Sequence, residues 1–316
     1  MRGSARSSPA STFGAKWRTY QRERFPALAH GTLIAAFSFC AVSYSSLLRA
    51  SPRAPAWRSL LVAFASSFLS FLMLRVADEF KDFEEDARYR SYRPVPRGLV
   101  TLRELGWLGV LSAGLQLALG VWLAPRLALL LAATWAYLAL MSVEFFARRW
   151  LKARPFTYMW THMMIMPLVD LYATGCDWLP ARASLPAGLG WFLAVSFFSG
   201  VVIEVGRKIR APGDEEPGVE TYTAVWGRAK AVGTWLAAMA LGALSACLAG
   251  SRIHFVAPLV VVLAAGLALA AAAAAAFLRE PVSKNAKRIE TAAGLWIIVL
   301  YLALGALPRV WRPWTP

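Results

Sequence analysis

The chain has 316 residues, 58% of them hydrophobic and only 16% charged, with a formal net charge of +16. Its apolar residues come in blocks of about 20, the length that crosses about 30 Å of hydrocarbon, which excludes a soluble globular protein. In a membrane protein the basic excess reads first as Lys and Arg retained on the cytoplasmic side, so a nucleic-acid partner is not expected.

Residues 1–25 are basic and Ser-rich, expected to be disordered or to lie on the membrane surface, with no early apolar core of a cleavable signal peptide. Nine spans follow, at about 28–48, 58–77, 104–123, 126–145, 156–175, 187–206, 230–250, 255–278 and 290–307. The expected fold is all-α: one polytopic bundle of nine transmembrane helices over residues 26–316. With the N-terminus inside, the inner segments carry 25 Lys and Arg and the outer ones 8. That asymmetry puts the N-terminus in the cytoplasm and the C-terminus outside. Cys40, Cys176 and Cys247 lie in or near apolar segments without paired spacing, so neither a disulfide framework nor a zinc site is expected.

The second span ends in RVADEFKDFEEDARYRSYRPVPRGLVTLRE, residues 75–104. Asp78, Glu79, Asp82, Glu84, Glu85 and Asp86 crowd into nine residues, and Arg88, Arg90, Arg93 and Arg97 follow. Asp78, Asp82 and Asp86 are spaced i, i+4, i+8, which sets them on one helix face with Glu84 and Glu85 off it. Like charges so placed repel. A bound cation relieves them, and oxygen-only ligands suit Mg²⁺. Alone, the pattern also fits a solvated helix end. A second cluster recurs at the end of the sixth span, with Glu204, Asp214, Glu215, Glu216 and Glu220 among Arg207, Lys208 and Arg210. Eleven of the 18 acidic residues thus sit in two places on the cytoplasmic side. Acidic residues hardly influence topology, so sorting does not explain the clustering. Two such clusters form a site for a cation-bridged polyanion, with diphosphate the obvious candidate.

These motifs resemble the UbiA superfamily of membrane prenyltransferases. The family pattern Asn-Asp-x-x-Asp-x-x-x-Asp has its counterpart in Asp78-Glu79-Phe80-Lys81-Asp82-Phe83-Glu84-Glu85-Asp86. The downstream Arg-Pro-x-x-x-Gly matches Arg93 to Gly98. The second motif departs: Gly218 and Thr221 match the trailing Gly and Thr and Asp214 the second Asp, but Arg210 stands at the first. Glu204 and Arg207 are the substitutes within the helix, and Arg207, Lys208 or Arg210 can supply the charge of a second metal. The fourth-span Tyr-x-x-x-Lys pattern is poor; Arg148 and Arg149 are its nearest basic residues, and Glu144 precedes them.

The resemblance implies Mg²⁺-dependent transfer of a prenyl group from a polyprenyl diphosphate to a small, aromatic acceptor. Asp78, Glu79, Asp82 and Asp86, with Glu204 and Asp214, are the expected metal ligands. Arg93, Arg97, Arg148, Arg207 and Lys208 are the expected diphosphate ligands. His162 and Asp170, ionisable residues in the fifth span, are the candidates to orient or deprotonate the acceptor. The lipid bilayer, of a bacterial inner membrane, is the expected setting. A terpene cyclase would ionise the same substrate without an acceptor. A transporter is a third reading, but its acids would lie at mid-membrane.

Overall fold

Backbone polar groups in hydrocarbon must bond within their own segment, so each apolar block folds as a helix. The structure is a computed structural model that describes residues 13–51 and 53–311. In chain order the helices are α1 (Phe13–Arg24), α2 (Ala27–Leu48), α3 (Trp57–Lys81), α4 (Phe83–Tyr89), α5 (Leu102–Leu123), α6 (Leu127–Ser142), α7 (Arg148–Lys152), α8 (Pro155–Met163), α9 (Ile165–Trp178), α10 (Leu189–Arg207), α11 (Tyr222–Trp226), α12 (Arg228–Ser251), α13 (Val256–Arg279), α14 (Ser283–Gly305) and α15 (Leu307–Trp311). There is no strand among the described residues. Seven of these helices, α2, α3, α5, α10, α12, α13 and α14, are long and apolar enough to cross a membrane; α6 is a shorter apolar helix.

The expected fifth span is two helices, α8 and α9, broken at Met164. Pro167 explains the break. It has no N–H for the carbonyl of Met163, and its ring crowds that carbonyl. His162 and Asp170 therefore lie on separate helices rather than on one continuous face. The expected last span begins earlier, at Ser283, and ends at Gly305.

Of the seven long apolar helices α2 and α10 are the most enclosed, while α5 and α13 lie largely on the outside of the bundle. Small residues let backbones approach closely where no water-driven force pulls helices together. Gly305 of α14 shows it: a Cβ there would stand 2.4 Å from the Cα of Cys40 in α2. Within the alanine run of α13, Ala270 and Ala274 are buried and pack into the core.

Part of the basic tail is helical among the described residues. Residues 1–12 lie outside the described residues, but 13–24, expected to be disordered or surface-lying, form α1. Its Tyr20 is buried against Val76, Val95, Val100 and Leu105. Three ion pairs flank that contact: Lys16 with Glu104, Arg97 with Glu23 at 2.9 Å, and Arg24 with Glu79 at 2.5 Å. Thr101 and Glu104 form a reciprocal capping box that starts α5. The tail helix thus docks on the ends of α3 and α5 where the first acidic motif lies.

Candidate functional site

The first motif straddles a helix junction. α3 ends at Lys81, Asp82 forms the joint, and α4 begins at Phe83. The i→i−4 ladder still runs through it, from the N–H of Asp82 to the carbonyl of Asp78 at 2.9 Å and from Asp86 to Asp82 at 2.8 Å. The spacing that groups Asp78, Asp82 and Asp86 is therefore kept along the backbone. Their side chains part to basic neighbours. Asp78 faces Arg75 at 3.5 Å and Lys81 at 3.8 Å. Glu79 is buried against Arg24. Asp86, also buried, pairs with Arg93 at 2.5 Å and Arg90 at 3.4 Å. Among the described residues no three His, Cys, Asp or Glu converge as metal ligands, because each carboxylate has turned to the cation nearest it.

No salt bridge among the described residues holds Asp82 or the exposed Glu84, and of the two only Asp82 is partly buried. Burial raises its carboxyl above the ordinary range; Lys81 pulls it back, while Asp78, Asp86 and Glu85 push it further up. A half-buried carboxylate within electrostatic reach of Asp78, Asp86 and Glu85 lies in a stretch rich in hard oxygen donors. That donor chemistry fits Mg²⁺.

The second cluster divides. Glu204, in the last turn of α10, accepts from Arg207 Nε at 2.8 Å, also takes Arg207 Nη2, and pairs with Lys208 Nζ at 2.8 Å. Asp214 sits in a short turn over Pro212–Asp214 and accepts from Ser283 Oγ at 2.8 Å. It lines a cavity of about 500 Å³ with Arg210, Glu215, Glu216, Lys287 and Glu290. Glu204 and Asp214, the expected metal ligands of the second cluster, are held by different partners. The cause is local: Arg207 and Lys208 lie one helical turn from Glu204 and satisfy it within α10.

The two loops nevertheless meet. Tyr92 Oη donates to Glu216 Oε2 at 3.4 Å. The Tyr89 ring packs on Gly218, whose φ of +75° and 2.6 Å clearance from that ring leave no room for a Cβ. Thr221, the other matched residue, caps α11 by accepting from the Ala224 N–H at 3.1 Å, and donates to Glu215. Arg207 lies within electrostatic reach of Asp78.

The expected diphosphate ligands all gather on this side, each tethered to an acid or carbonyl. Arg93 holds Asp86, Arg207 and Lys208 hold Glu204, and Arg97 binds Glu23 and the Tyr92 carbonyl. Arg148 faces Glu144 at 3.4 Å and Glu85 at 3.7 Å. Lys152 also bonds Glu85 and holds that carboxyl below its usual range.

His162 joins this end and Asp170 does not. The His162 ring lies flat on Tyr158, centroids 3.9 Å apart, and Tyr158 Oη accepts from Lys81 Nζ at 3.0 Å. Asp170 is buried between α9 and α14, where Tyr301 Oη donates to it at 3.0 Å. Sequence reading did not single out Lys81, Tyr158 or Tyr222. Lys81 was a variable position of the motif, Tyr158 one aromatic among many. Tyr222 lies under Lys208, whose Nζ is 5.5 Å from its ring, by a fold contact that spacing does not encode.

An all-helical membrane bundle with two carboxylate-and-cation loops joined at one end is the architecture of an intramembrane enzyme for a polyanionic substrate. The model of the UbiA prenyltransferase family matches residues 36–298. The chain belongs to that family. Curated proteins gave no match. Among solved structures it is similar to a UbiA homologue from Aeropyrum pernix K1, with 16% identity, a TM-score of 0.64, and coverage of 84% of this chain and 95% of that one. It is also similar to a digeranylgeranylglyceryl phosphate synthase, with 16% identity, TM-score 0.59, and 92% and 99% coverage. A third is a UbiA homologue from Archaeoglobus fulgidus bound to DMAPP and Mg²⁺, with 15% identity, TM-score 0.51, and 91% and 99% coverage.

Proposed function

We propose that this chain transfers a prenyl group from a polyprenyl diphosphate to a small, aromatic acceptor and releases pyrophosphate. The observation that carries it is the junction of the two loops, where Tyr89 packs on Gly218 and Tyr92 meets Glu216. That contact brings the motif carboxylates and Arg93, Arg97, Arg148, Arg207 and Lys208 to one end of an apolar bundle. The Archaeoglobus homologue bound to DMAPP and Mg²⁺, and its form bound to GPP and Mg²⁺, support a prenyl diphosphate and a divalent metal as ligands.

In this reading the C1–O bond of the prenyl diphosphate breaks and its electron pair leaves on pyrophosphate. The acceptor attacks C1, and the proton it releases passes to His162. Asp78, Glu79, Asp82 and Asp86 would hold Mg²⁺, with Glu204 and Asp214 the candidates from the second cluster. When bound, the metal neutralises charge building on the leaving group. The basic side chains bind the diphosphate oxygens. A small crevice between α3, α6 and α9 is lined mostly by apolar side chains, Met73, Leu74, Trp135, Leu138, Ile165 and Val169, with Ser70 and Thr134. In this reading the isoprenoid inserts between these apolar helices, which keep water from the allylic cation. We also propose nine crossings, the seven long helices with α6 and the α8–α9 pair. The Lys and Arg asymmetry then puts the N-terminus in the cytoplasm and the C-terminus outside a bacterial inner membrane.

The test is purified protein with Mg²⁺ and C10 to C20 prenyl diphosphates, with product mass read with and without phenols. Acceptor-dependent adducts support transfer. Acceptor-independent hydrocarbons or alcohols make it a cyclase, and absence of pyrophosphate under every condition sinks both.

A further inference from the structure

The turn after α6 has no part in the chemistry above. Glu144, Phe145 and Phe146 all have left-handed backbones, with φ of 50°, 53° and 56°. Each such non-glycine residue costs about 1–2 kcal/mol. Strain of this kind persists only where the surroundings hold it, and it collects at ligand sites.

The turn carries Glu144 inward, where its side chain is 5% exposed. Oε1 accepts from Tyr158 Oη at 3.4 Å. Oε2 has Arg148 Nε 3.4 Å away but accepts no hydrogen bond. The same turn sets the Phe145 ring edge-on to His162, centroids 6.1 Å apart. His162 is 6% exposed. Its Nδ1 lies 2.8 Å from the Tyr158 carbonyl and must donate to it, so Nε2 presents a lone pair. That Nε2 is buried without a partner. Two buried acceptor atoms thus stand at Tyr158, one on a side chain stacked against its ring and one at its hydroxyl. A buried acceptor left unfilled costs about 1–3 kcal/mol, which a donor ligand recovers.

We infer that Glu144 and His162 form the acceptor site, and that it takes an uncharged aromatic acceptor with two hydroxyl donors, one to His162 Nε2 and one to Glu144 Oε2. An acceptor bearing a carboxylate is disfavoured. It would face a carboxylate and a lone pair, while Arg148 is engaged by Glu144 and Glu85, and Lys81 by Asp78 and Tyr158. The inference rests on the prenyl-transfer reading.

Two measurements separate the two ideas. Equilibrium dialysis of hydroquinone and of 4-hydroxybenzoate against the full chain in detergent reads binding alone. Turnover with geranyl diphosphate and Mg²⁺ reads transfer. The expected results are tighter binding of hydroquinone and at least about tenfold faster prenylation of it, one lost pair being worth a factor of that order. Glu144→Gln keeps the shape and the Tyr158 contact, and should raise the KM for hydroquinone about tenfold while the KM for geranyl diphosphate holds. His162→Gln should raise the hydroquinone KM likewise while the KM for geranyl diphosphate holds, should lower kcat as well because His162 takes the proton, and serves if Glu144→Gln fails to fold. Glu144→Lys should gain 4-hydroxybenzoate. Preference for 4-hydroxybenzoate, or an unchanged hydroquinone KM in both Gln variants, overturns the site. Binding of hydroquinone that the Gln variants lose, without prenylation, keeps the site and overturns the transfer reading.

Discussion

Arg24 Nε donates to Glu79 Oε1 at 2.5 Å, with the two side chains 12% and 1% exposed. A residue of the N-terminal helix thereby holds a buried motif carboxylate. Removing one partner of such a pair leaves an uncompensated charge, a loss of about 3 kcal/mol. Arg24→Gln should therefore lower the thermal unfolding midpoint in detergent, and Glu79→Gln in the same chain should restore most of it. If Arg24→Gln leaves the midpoint unchanged, α1 is not fastened through this pair.

The acidic motif divides into groups with different tasks. Asp82 sits among Asp78, Asp86 and Glu85 with Lys81 beside it, and no salt bridge holds it. Glu84 is exposed. Asp82→Asn should lower pyrophosphate release at saturating Mg²⁺ by about 10²-fold or more, and Glu84→Gln should leave it within about twofold, as for other surface changes. Sequence spacing groups Glu85 with Glu84, but the structure separates them: Glu85 ties α4 to α7 through Lys152 and Arg148. Glu85→Gln should fall between the two. Equal loss in Glu84→Gln and Asp82→Asn would remove the special position of Asp82.

The spans were legible because hydrocarbon imposes one length and one secondary structure on every crossing segment. The motif after the second span was legible because its carboxylates are local in sequence and too many for a solvated turn. Other features depend on partners far along the chain. α1 reads as a basic tail, since Tyr20 is buried only by Val76, Val95, Val100 and Leu105. Glu144 reads as a stray acid, since a left-handed turn over non-glycine residues has no propensity signal. Pro167 was visible in the fifth span, and its effect on the helix was the signal to follow. Asp214 aligned by counting back from Gly218 and Thr221, yet its bond goes to Ser283.

Gly218 holds the two loops together. Its φ is +75°, and an added Cβ would stand 2.6 Å from the Tyr89 ring. Gly218→Ala should loosen the contact, raising the KM for prenyl diphosphate and speeding proteolysis of residues 209–221. Adding Tyr89→Ala relieves the clash but leaves the left-handed cost of about 1–2 kcal/mol, so the double variant should recover only in part. Proteolysis and KM both at wild-type values in Gly218→Ala would refute the junction.

Topology has its own test. A reporter fused after residue 316 should read outside, and a cysteine placed in 84–92 should label only from the cytoplasmic face. Labelling of that loop from outside would undo both the nine crossings and the common location of the motif loops.

Asp170 and His162 looked alike in the sequence as ionisable residues within one span, and the structure gives them different surroundings. Asp170 is fully buried, accepts from Tyr301 Oη at 3.0 Å, and lies on the far side of the break at Met164. A buried acid bound by the Tyr301 hydroxyl, with the Ser196 hydroxyl of α10 beside it, joins α9 to α14. Farther along α9, Asp177 plays a similar part, bound by Arg49 through two bonds of 2.9 and 2.8 Å and by Ser45 at 2.8 Å. Asp170→Asn keeps an oxygen for Tyr301 and should be mild in both stability and turnover. Asp170→Ala strands the Tyr301 hydroxyl and opens a void, and should lose about 2–4 kcal/mol. Tyr301→Phe with Asp170→Ala removes both polar partners and should be milder than Asp170→Ala alone. Unfolding midpoints of the three variants, with the acceptor KM of each, decide the matter. A wild-type midpoint combined with a raised acceptor KM in Asp170→Asn would return Asp170 to the chemistry; falling midpoints with unchanged KM leave it a strut between two helices.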